Sequence, residues 1–323
     1  MKKLGIILLS FILVFSTMVS CTNETKEENE NSSKETGSFK IGLTMSSRDQ
    51  FLSTLETAVK DSAADLGDVD IVAFDSENDV QKQLSHISSF VEQDVSAIIV
   101  NLVNTDTTEE IITAAKGKPV VFVNRMPQKE AIEKYDNASY VGSDESEAGS
   151  LQAEFLSEYF SKKDVKEIKY VLFMGTLGLQ NTNARTDSVK SKLEEEGFKL
   201  KKQFEDTAEF DRAIAMTKMQ QFIGSGKKFD VVISNNDEMA LGAIEAMKSA
   251  KITDIPVVGI DATDNALVAV ESGDMACSIF QDAKGQGDGA LAMAYAYTTS
   301  KETTKYDWIP FKLVTKENVA DFK

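Results

Sequence analysis

The chain has 323 residues, a formal net charge of −17 at pH 7 and a hydrophobic fraction of 42%. The length exceeds that of one average domain, and the near-average apolar content predicts an ordinary globular α/β protein with two domains. The acidic charge argues against binding to nucleic acid or to an anionic membrane surface, because either partner would repel the protein.

The N-terminal segment has the parts of a secretory signal peptide. Two lysines are followed by an apolar stretch at residues 4–19 and then by the small residues Ser20 and Cys21. The apolar stretch is short for a membrane-spanning helix, and no basic stop-transfer run follows it. We therefore expect residues 1–20 to direct export of the protein.

The residues from Met18 to Cys21 resemble a bacterial lipobox, although Met18 stands where leucine is usual. This resemblance implies that Cys21 is acylated and becomes the new N-terminus, and two or more acyl chains suffice for stable anchoring. The only other cysteine, Cys277, would then have no disulfide partner within the chain. Residues 21–38 lack large apolar side chains, so we expect a lipidated, flexible linker.

The first part of the chain after the linker alternates between strands and helices. Strands are predicted at residues 39–44, 71–74 and 97–100, and helices at 51–66, 80–91 and 108–115. Such alternation with short connections predicts a parallel sheet with helices on both faces. Two more strands, at 119–123 and around 140–141, precede a helix at 145–160.

The pattern then starts afresh. Strands are predicted at 170–173, 229–234, 257–260 and 277–280, helices at 184–193, 212–223, 239–247, 266–270 and 285–297, and a last extended segment at 308–314. The chain is thus predicted to form two similar α/β halves, with a ligand crevice between them.

Polar side chains stand just past many of the predicted strands. They are Asp49, Asn101, Asn124, Asn236, Asp261 and the pair Gln281 and Asp282. Turns favour Asp and Asn at any single position, but their recurrence in both halves indicates one crevice at the carboxyl ends of the strands. Carboxylates and carboxamides can bridge the adjacent hydroxyls of a neutral polyol, while rings such as Phe51 and Phe210 can cover its apolar faces.

An enzyme is poorly supported by the sequence. The lone histidine, His86, lies within a predicted helix far from these strand ends. The sequence has no dinucleotide-binding fingerprint, phosphate-binding loop or Cys/His metal spacing. The scattered carboxylates could form a glycosidase pair, but a binding protein ranks higher, and we expect no catalytic residue and no cofactor.

Eight short segments together resemble the sugar receptors of periplasmic-binding-protein type I, and most of all the bacterial galactose/glucose-binding proteins. The segments are DQF at 49–51, IVNLV at 99–103, VVFVN at 120–124, YVGSD at 140–144, AR at 184–185, DTA at 206–208, NNDEMA at 235–240 and GIDA at 259–262. The resemblance covers nearly everything after the linker. It implies two doubly wound parallel-sheet lobes, joined by a three-segment hinge, with the ligand in the interlobe cleft.

The resemblance also implies a set of ligand contacts. The residues that match hydrogen-bonding positions are Asp49, Asn101, Arg185, Asn236 and Asp261, and the stacking positions are Phe51 and Phe210, the latter in place of a tryptophan. Three positions depart from the family pattern: Leu179 replaces a histidine, Asn181 an aspartate and Gln281 an asparagine. Leu179 cannot form a hydrogen bond, which leaves a pentose such as xylose or ribose open. Asn101 keeps a hexose feasible, and glucose or galactose is favoured.

The hinge of the family consists of three crossovers, expected here near Lys118–Pro119, Ala283–Lys284 and Asp307–Trp308. One lobe would then combine residues 39–118 and 284–307, and the other 119–283 and 308–323. The calcium loop of the family is replaced by the shorter, lysine-rich segment 161–167, so no metal site is expected.

The same resemblance implies a transport function. Sugar binding would close the lobes, and the closed receptor would deliver its monosaccharide to the permease of an ABC transporter. The alternative is a sensing module that presents its sugar to a chemoreceptor or sensor kinase. A sugar-responsive repressor shares the fold, but a signal peptide and spacer stand where its helix-turn-helix would be. We expect an extracytoplasmic monomer, held by its lipid anchor alone at the outer face of the cytoplasmic membrane or in the periplasm.

Overall fold

The computed structural model describes residues 38–323. The expected signal peptide, the acylation site at Cys21 and all but the last residue of the expected linker lie outside the described residues. Within residues 38–323, no helix combines the length and apolarity that a membrane span requires.

Strands and helices alternate throughout the described part of the chain. The first half contains β1 (Phe39–Met45), α1 (Gln50–Leu66), β2 (Val69–Asp75), α2 (Val80–Glu92), β3 (Ala97–Val100), α3 (Thr108–Ala114), β4 (Val120–Val123), α4 (Lys129–Lys134) and β5 (Ala138–Gly142). The second half contains α5 (Glu145–Ser161), β6 (Glu167–Met174), α6 (Gln180–Glu195), β7 (Lys199–Thr207), α7 (Arg212–Gly224), β8 (Val231–Ser234), α8 (Asp237–Ser249), β9 (Val257–Asp261), α9 (Asp264–Ser272) and β10 (Cys277–Phe280). The chain ends with α10 (Ala283–Thr298), β11 (Tyr306–Trp308) and β12 (Lys312–Val314).

The strands form two six-stranded sheets, which confirms the predicted fold of two doubly wound lobes. The first sheet has the order β11-β5-β4-β3-β1-β2 and is parallel throughout. The second has the order β12-β10-β9-β8-β6-β7, and only the edge strand β12 runs antiparallel to its neighbour. The central strands β3, β4 and β8 are buried along their whole length, as continuous apolar runs between two helical layers must be.

The first crossover between the lobes lies later in the chain than expected. Strand β4 pairs with β3, and β5 pairs with β4, so both belong to the first sheet. The boundary near Lys118–Pro119 is therefore wrong, and the chain passes to the second lobe between β5 and α5. The other two crossovers lie between β10 and α10 and between β11 and β12, within a few residues of the expected positions.

Strand β7 was not predicted, and its sequence explains why. Its residues, KLKKQFEDT, are mostly exposed or half-buried because it forms one edge of the second sheet. Lysines on an edge strand discourage pairing with another chain, so this strand lacks the apolar run that marks a central one. The predicted extended segment at 308–314 is likewise divided, since β11 and β12 join different sheets.

Candidate ligand-binding site

A cleft lies between the lobes at the carboxyl ends of the strands. It encloses about 340 Å³, including its opening to solvent. Its lining residues are Asp49, Phe51, Leu52, Asn124 and Arg125 from the first lobe, and Asn181, Arg185, Phe210, Asn236 and Asp261 from the second. The predicted ligand residues all line this cleft, except for Asn101 and Gln281.

Asp49 lies at the N-terminus of α1 and faces the cleft from the first lobe. Its Oδ1 accepts a hydrogen bond from the backbone N–H of Leu52 at 2.8 Å, so the carboxylate caps the helix. Burial raises the pKa of Asp49, while that hydrogen bond and the charge of Arg125 oppose the rise. A carboxylate has about four acceptor positions, so Asp49 retains capacity for ligand hydroxyls.

Arg125 is a cleft residue that the sequence reasoning missed. Its Nη1 donates to the carbonyl oxygens of Leu102 and Val103, at 2.8 and 3.3 Å. Burial lowers the pKa of Arg125 to about 10, and the charge of Asp49 opposes this shift. The guanidinium therefore stays protonated at neutral pH. Arg125 directly follows Asn124, whose backbone is left-handed, with φ 66°, and this turn is not encoded in the apolar pattern of β4.

Asn101 lies behind the cleft and is fully buried. Its Oδ1 accepts from the N–H and the hydroxyl of Ser46, at 3.2 and 2.6 Å. Its Nδ2 donates to the carbonyl of Val123 and to Oδ1 of Asn124, each at 3.2 Å. These four bonds use the capacity of the carboxamide, so the structure gives Asn101 the role of holding Asn124.

Arg185 is the charged centre of the second lobe's side of the cleft. Its Nε donates to Oε2 of Glu145 at 2.6 Å, and its Nη1 donates to the carbonyl of Asn235 at 2.8 Å. Its Nη1 also lies 3.9 Å from Oδ1 of Asp261. Burial acts to lower the pKa of Arg185, but the charges of Glu145 and Asp261 outweigh it and raise the pKa. The guanidinium is thus a permanently charged donor fixed on several sides.

Gln281 supports Arg185 from behind and does not line the cleft. Its Oε1 accepts from Nη2 of Arg185 at 3.2 Å. Its Nε2 is buried and has no hydrogen-bond partner among the described residues. The side chain therefore helps to orient the arginine, and its Nε2 remains available to donate a hydrogen bond.

Asp261 ends strand β9 with an unusual backbone, at φ 115°. Burial raises the pKa of this carboxyl well above its usual range, and Arg185 opposes the rise. Among the described residues, no donor forms a hydrogen bond to its carboxylate. Such strain in a buried, acceptor-rich residue is typical of a functional site.

The backbone after Asp261 is held by a buried pair, Asp237 and Ser278. The Ser278 hydroxyl accepts from the N–H of Ala262 at 3.0 Å and donates to Oδ1 of Asp237 at 2.7 Å. Oδ2 of Asp237 accepts from the N–H of Thr263 at 3.0 Å. Two successive amides are thereby fixed directly after the strained residue.

The Asp237 carboxyl is expected to make stability depend on pH. Burial raises its pKa from 3.8 to about 7, so the folded protein binds this proton more tightly than the unfolded chain. The contribution is fully present below pH 3.8 and is lost as the pH rises to about 7. Relative to Asp237→Asn, the wild type should lose up to about 1.4 kcal/mol of unfolding free energy per pH unit in this window.

Urea unfolding of both proteins between about pH 4 and about pH 8 measures this difference. Asp254→Asn is the control, because it removes one carboxyl group from an exposed position. A difference between Asp237→Asn and the wild type that stays constant over this pH range would contradict the assignment.

The phenyl ring of Phe210 is held in the cleft by its neighbours. Its backbone has φ 62°, and the side-chain amide of Asn236 donates to its carbonyl at 3.4 Å. A Cβ at Gly175 would lie 2.0 Å from Cζ of Phe210, so only glycine permits this ring position. Asn236 caps α8 through the N–H of Met239 at 3.0 Å, which fixes it beside the ring.

The start of α6 forms another part of the cleft wall. Asn181 lines the cleft and is 8% exposed. Leu179, at the N-cap position of this helix, is buried and offers no side-chain hydrogen bond. The start of α6 therefore supplies less polar capacity than the next turn of the same helix, which carries Arg185.

Comparisons with known proteins agree on one family. The profile described as "Periplasmic binding protein domain" matches residues 41–302. A putative rhizopine-binding protein of Rhizobium meliloti is 37% identical, covering 85% of this chain and 89% of the relative. The D-galactose/methyl-galactoside binding periplasmic protein MglB of Haemophilus influenzae is 32% identical, covering 88% and 91%.

A solved structure adds a similarity at the level of the fold. An ABC transporter solute binding protein of Bacillus halodurans, with bound myo-inositol, is 34% identical and superposes with a TM-score of 0.80. The match covers 90% of this chain and 98% of that one.

Proposed function

Since the chain belongs to the periplasmic binding protein domain family, we propose that it is an extracytoplasmic receptor for one small polyhydroxylated ring, a monosaccharide or a cyclitol. The observation that carries this proposal is the pairing of charges in the cleft. Asp49 stands with Arg125 on one lobe, and Asp261 with Arg185 on the other. Arg185 also pairs with Glu145 at 2.6 Å, so neither guanidinium of the cleft is left without a carboxylate. The cleft therefore offers many hydrogen bonds and does not require an anionic ligand.

Carboxylates and guanidinium groups suit adjacent hydroxyls because they form paired hydrogen bonds in one plane. Phe51 and Phe210 can cover the C–H faces of such a ring. The ligand would therefore be fixed by oxygen-bearing edges and apolar faces together, and no chemical step on the ligand is needed.

The relatives favour myo-inositol as the first ring to test. The structure at 34% identity holds myo-inositol, while the galactose-binding relative is 32% identical. Glucose and galactose, which the sequence favours, follow as candidates, and xylose and ribose are the pentose alternatives.

Ligand binding would close the cleft by joining the two lobes. Asp49 and Asp261 line the same cleft from different lobes. A ligand whose hydroxyls donate to both carboxyl groups forms hydrogen bonds with each lobe at once. We propose that the closed form then delivers the ligand to an ABC-transporter permease, since only it presents both lobes in one arrangement.

Calorimetric titration of the chain from residue 22 onward tests the proposal with myo-inositol, glucose, galactose, xylose and ribose. We expect one-to-one binding of one ring class, with a Kd on the order of micromolar or below. Preference for a pentose would overturn the choice of ring, and no binding to any of the five would overturn the proposed ligand class.

The single tryptophan provides a direct signal for closure. Trp308 is 48% exposed and stands at the third crossover, stacked on Tyr306 with ring centroids 5.8 Å apart. Because closure rotates the lobes about this crossover, a bound ring should change the fluorescence of Trp308 with the same Kd as the titration. A Trp308→Phe variant should bind equally well and lose the signal. An unchanged spectrum at saturating ligand would contradict hinge closure.

A further inference from the structure

A second space opens directly beside the cleft, between α1 and the segment around α9 and α10. This side groove encloses about 670 Å³, including its opening to solvent, against about 340 Å³ for the cleft. Phe51 and Asp261 line both spaces. A ring held in the cleft therefore has one edge that faces the side groove.

The walls of the side groove combine aromatic and hydrogen-bonding groups. Phe280 and Phe322 stand with ring centroids 5.1 Å apart, next to the buried Leu267. The hydroxyl of Thr263 and Nε2 of Gln281 are buried polar atoms without a hydrogen-bond partner among the described residues. A buried polar atom left without a partner costs about 1–3 kcal/mol, so both suit a ligand that brings oxygen atoms.

The charges that line the side groove limit which ligand groups it can bind. Asp261, Asp264 and Asp282 line it together with one cation, Lys284, and Lys284 is paired with Asp288 at 2.5 Å. An anionic group such as a phosphate would meet net repulsion there. A neutral group with apolar faces and oxygen atoms fits these walls.

We propose that the side groove binds an O-linked substituent of the ring in the cleft, up to the size of a second sugar. The ligand class of the receptor then includes neutral O-glycosides as well as free rings, and excludes phosphorylated rings. The inference rests on the proposed function, because the substituent reaches the side groove only from a ring bound in the cleft.

Titrations with matched ligand pairs test this inference separately from the proposed function. The pairs are myo-inositol with galactosyl-myo-inositol, and glucose or galactose with their methyl and 4-nitrophenyl glycosides in both anomers. For the ring that binds, at least one O-substituted form should bind within about tenfold of the free ring, and the phosphorylated ring at least about 100-fold more weakly.

A variant that fills the side groove shows where the substituent lies. Thr54 is exposed on α1 and lines the side groove, and its hydroxyl donates to the carbonyl four residues before it. Thr54→Trp should weaken binding of the substituted ligand at least about tenfold and leave the free ring within about twofold. Thr54→Leu should give an intermediate loss.

Thr57→Trp is the matched control, because Thr57 is exposed one turn further along α1 and makes the same hydrogen bond to its helix. It should change neither affinity. Failure of every free ring to bind would overturn the proposed function. Binding of the free ring with loss of every substituted form, or an equal effect of Thr54→Trp on both forms, would overturn the side groove alone.

Discussion

Replacing Arg185 by methionine is expected to abolish ligand binding and to lower the free energy of unfolding by about 3–5 kcal/mol. The side chain is 3% exposed, where it lines the cleft, and donates to Glu145, to the carbonyl of Asn235 and to Gln281. Methionine fills much of the same volume but leaves the carboxylates of Glu145 and Asp261 buried without their cation. Since an uncompensated buried charge is costly, both stability and the shape of the cleft should suffer.

Urea unfolding followed by circular dichroism measures the stability, and titration of the ring that binds the wild type measures the affinity. We expect the affinity to fall at least about 100-fold.

Arg212→Met is the matched control, because Arg212 also pairs with a carboxylate, Glu238 at 2.9 Å, but its side chain is 32% exposed. That half-buried pair should contribute about 1 kcal/mol, and its loss should leave the affinity unchanged. Binding by Arg185→Met within tenfold of the wild type would contradict the role of Arg185.

The sequence alone predicts the central strands and most of the residues that line the cleft. The runs at β3 and β4 are wholly apolar, and β8 is apolar up to its last residue, Ser234, because helices cover both faces of each sheet. Polar residues after such runs meet at one edge by the geometry of parallel strands, which is why Asp49, Asn236 and Asp261 do line one cleft.

Other features depend on contacts that periodicity does not encode. A run such as β4 predicts a strand but does not determine which sheet it joins, so the first crossover was misplaced. Asn101 follows its strand as Asn236 does, yet its four hydrogen bonds are all made within the protein. Conversely, Arg125 was missed because its place in the cleft depends on the left-handed turn at Asn124, with φ 66°.

Backbone strain concentrates around the cleft and connects stability with binding. Asn124, Phe210 and Asp261 all have positive φ values, of 66°, 62° and 115°. Each such non-glycine residue costs on the order of 1–3 kcal/mol and persists only where its surroundings hold it. Asn124 is held by hydrogen bonds from Asn101 and Tyr140. Gly175 leaves room for the ring of Phe210, and Asn236 donates to the Phe210 carbonyl. The Asp237–Ser278 pair holds the backbone after Asp261. Strain of this kind keeps the ligand-binding groups in place before the ligand arrives.

Asp261→Asn is expected to separate binding from stability. The carboxamide keeps the shape and tolerates a positive φ, but its amino group cannot accept a ligand hydroxyl. We expect the affinity to fall at least about 100-fold.

Burial raises the pKa of Asp261 well above its usual range, so its ionised form disfavours folding, and this cost appears as the pH rises through the folded-state pKa. The variant should therefore equal or exceed the wild type in unfolding free energy at high pH, and that advantage should shrink as the pH falls toward the usual range of an aspartate. Titration and urea unfolding at several pH values measure both effects, with Asp254→Asn as the exposed control. A variant that loses stability at high pH would show instead that the ion pair with Arg185 outweighs the burial of the charge.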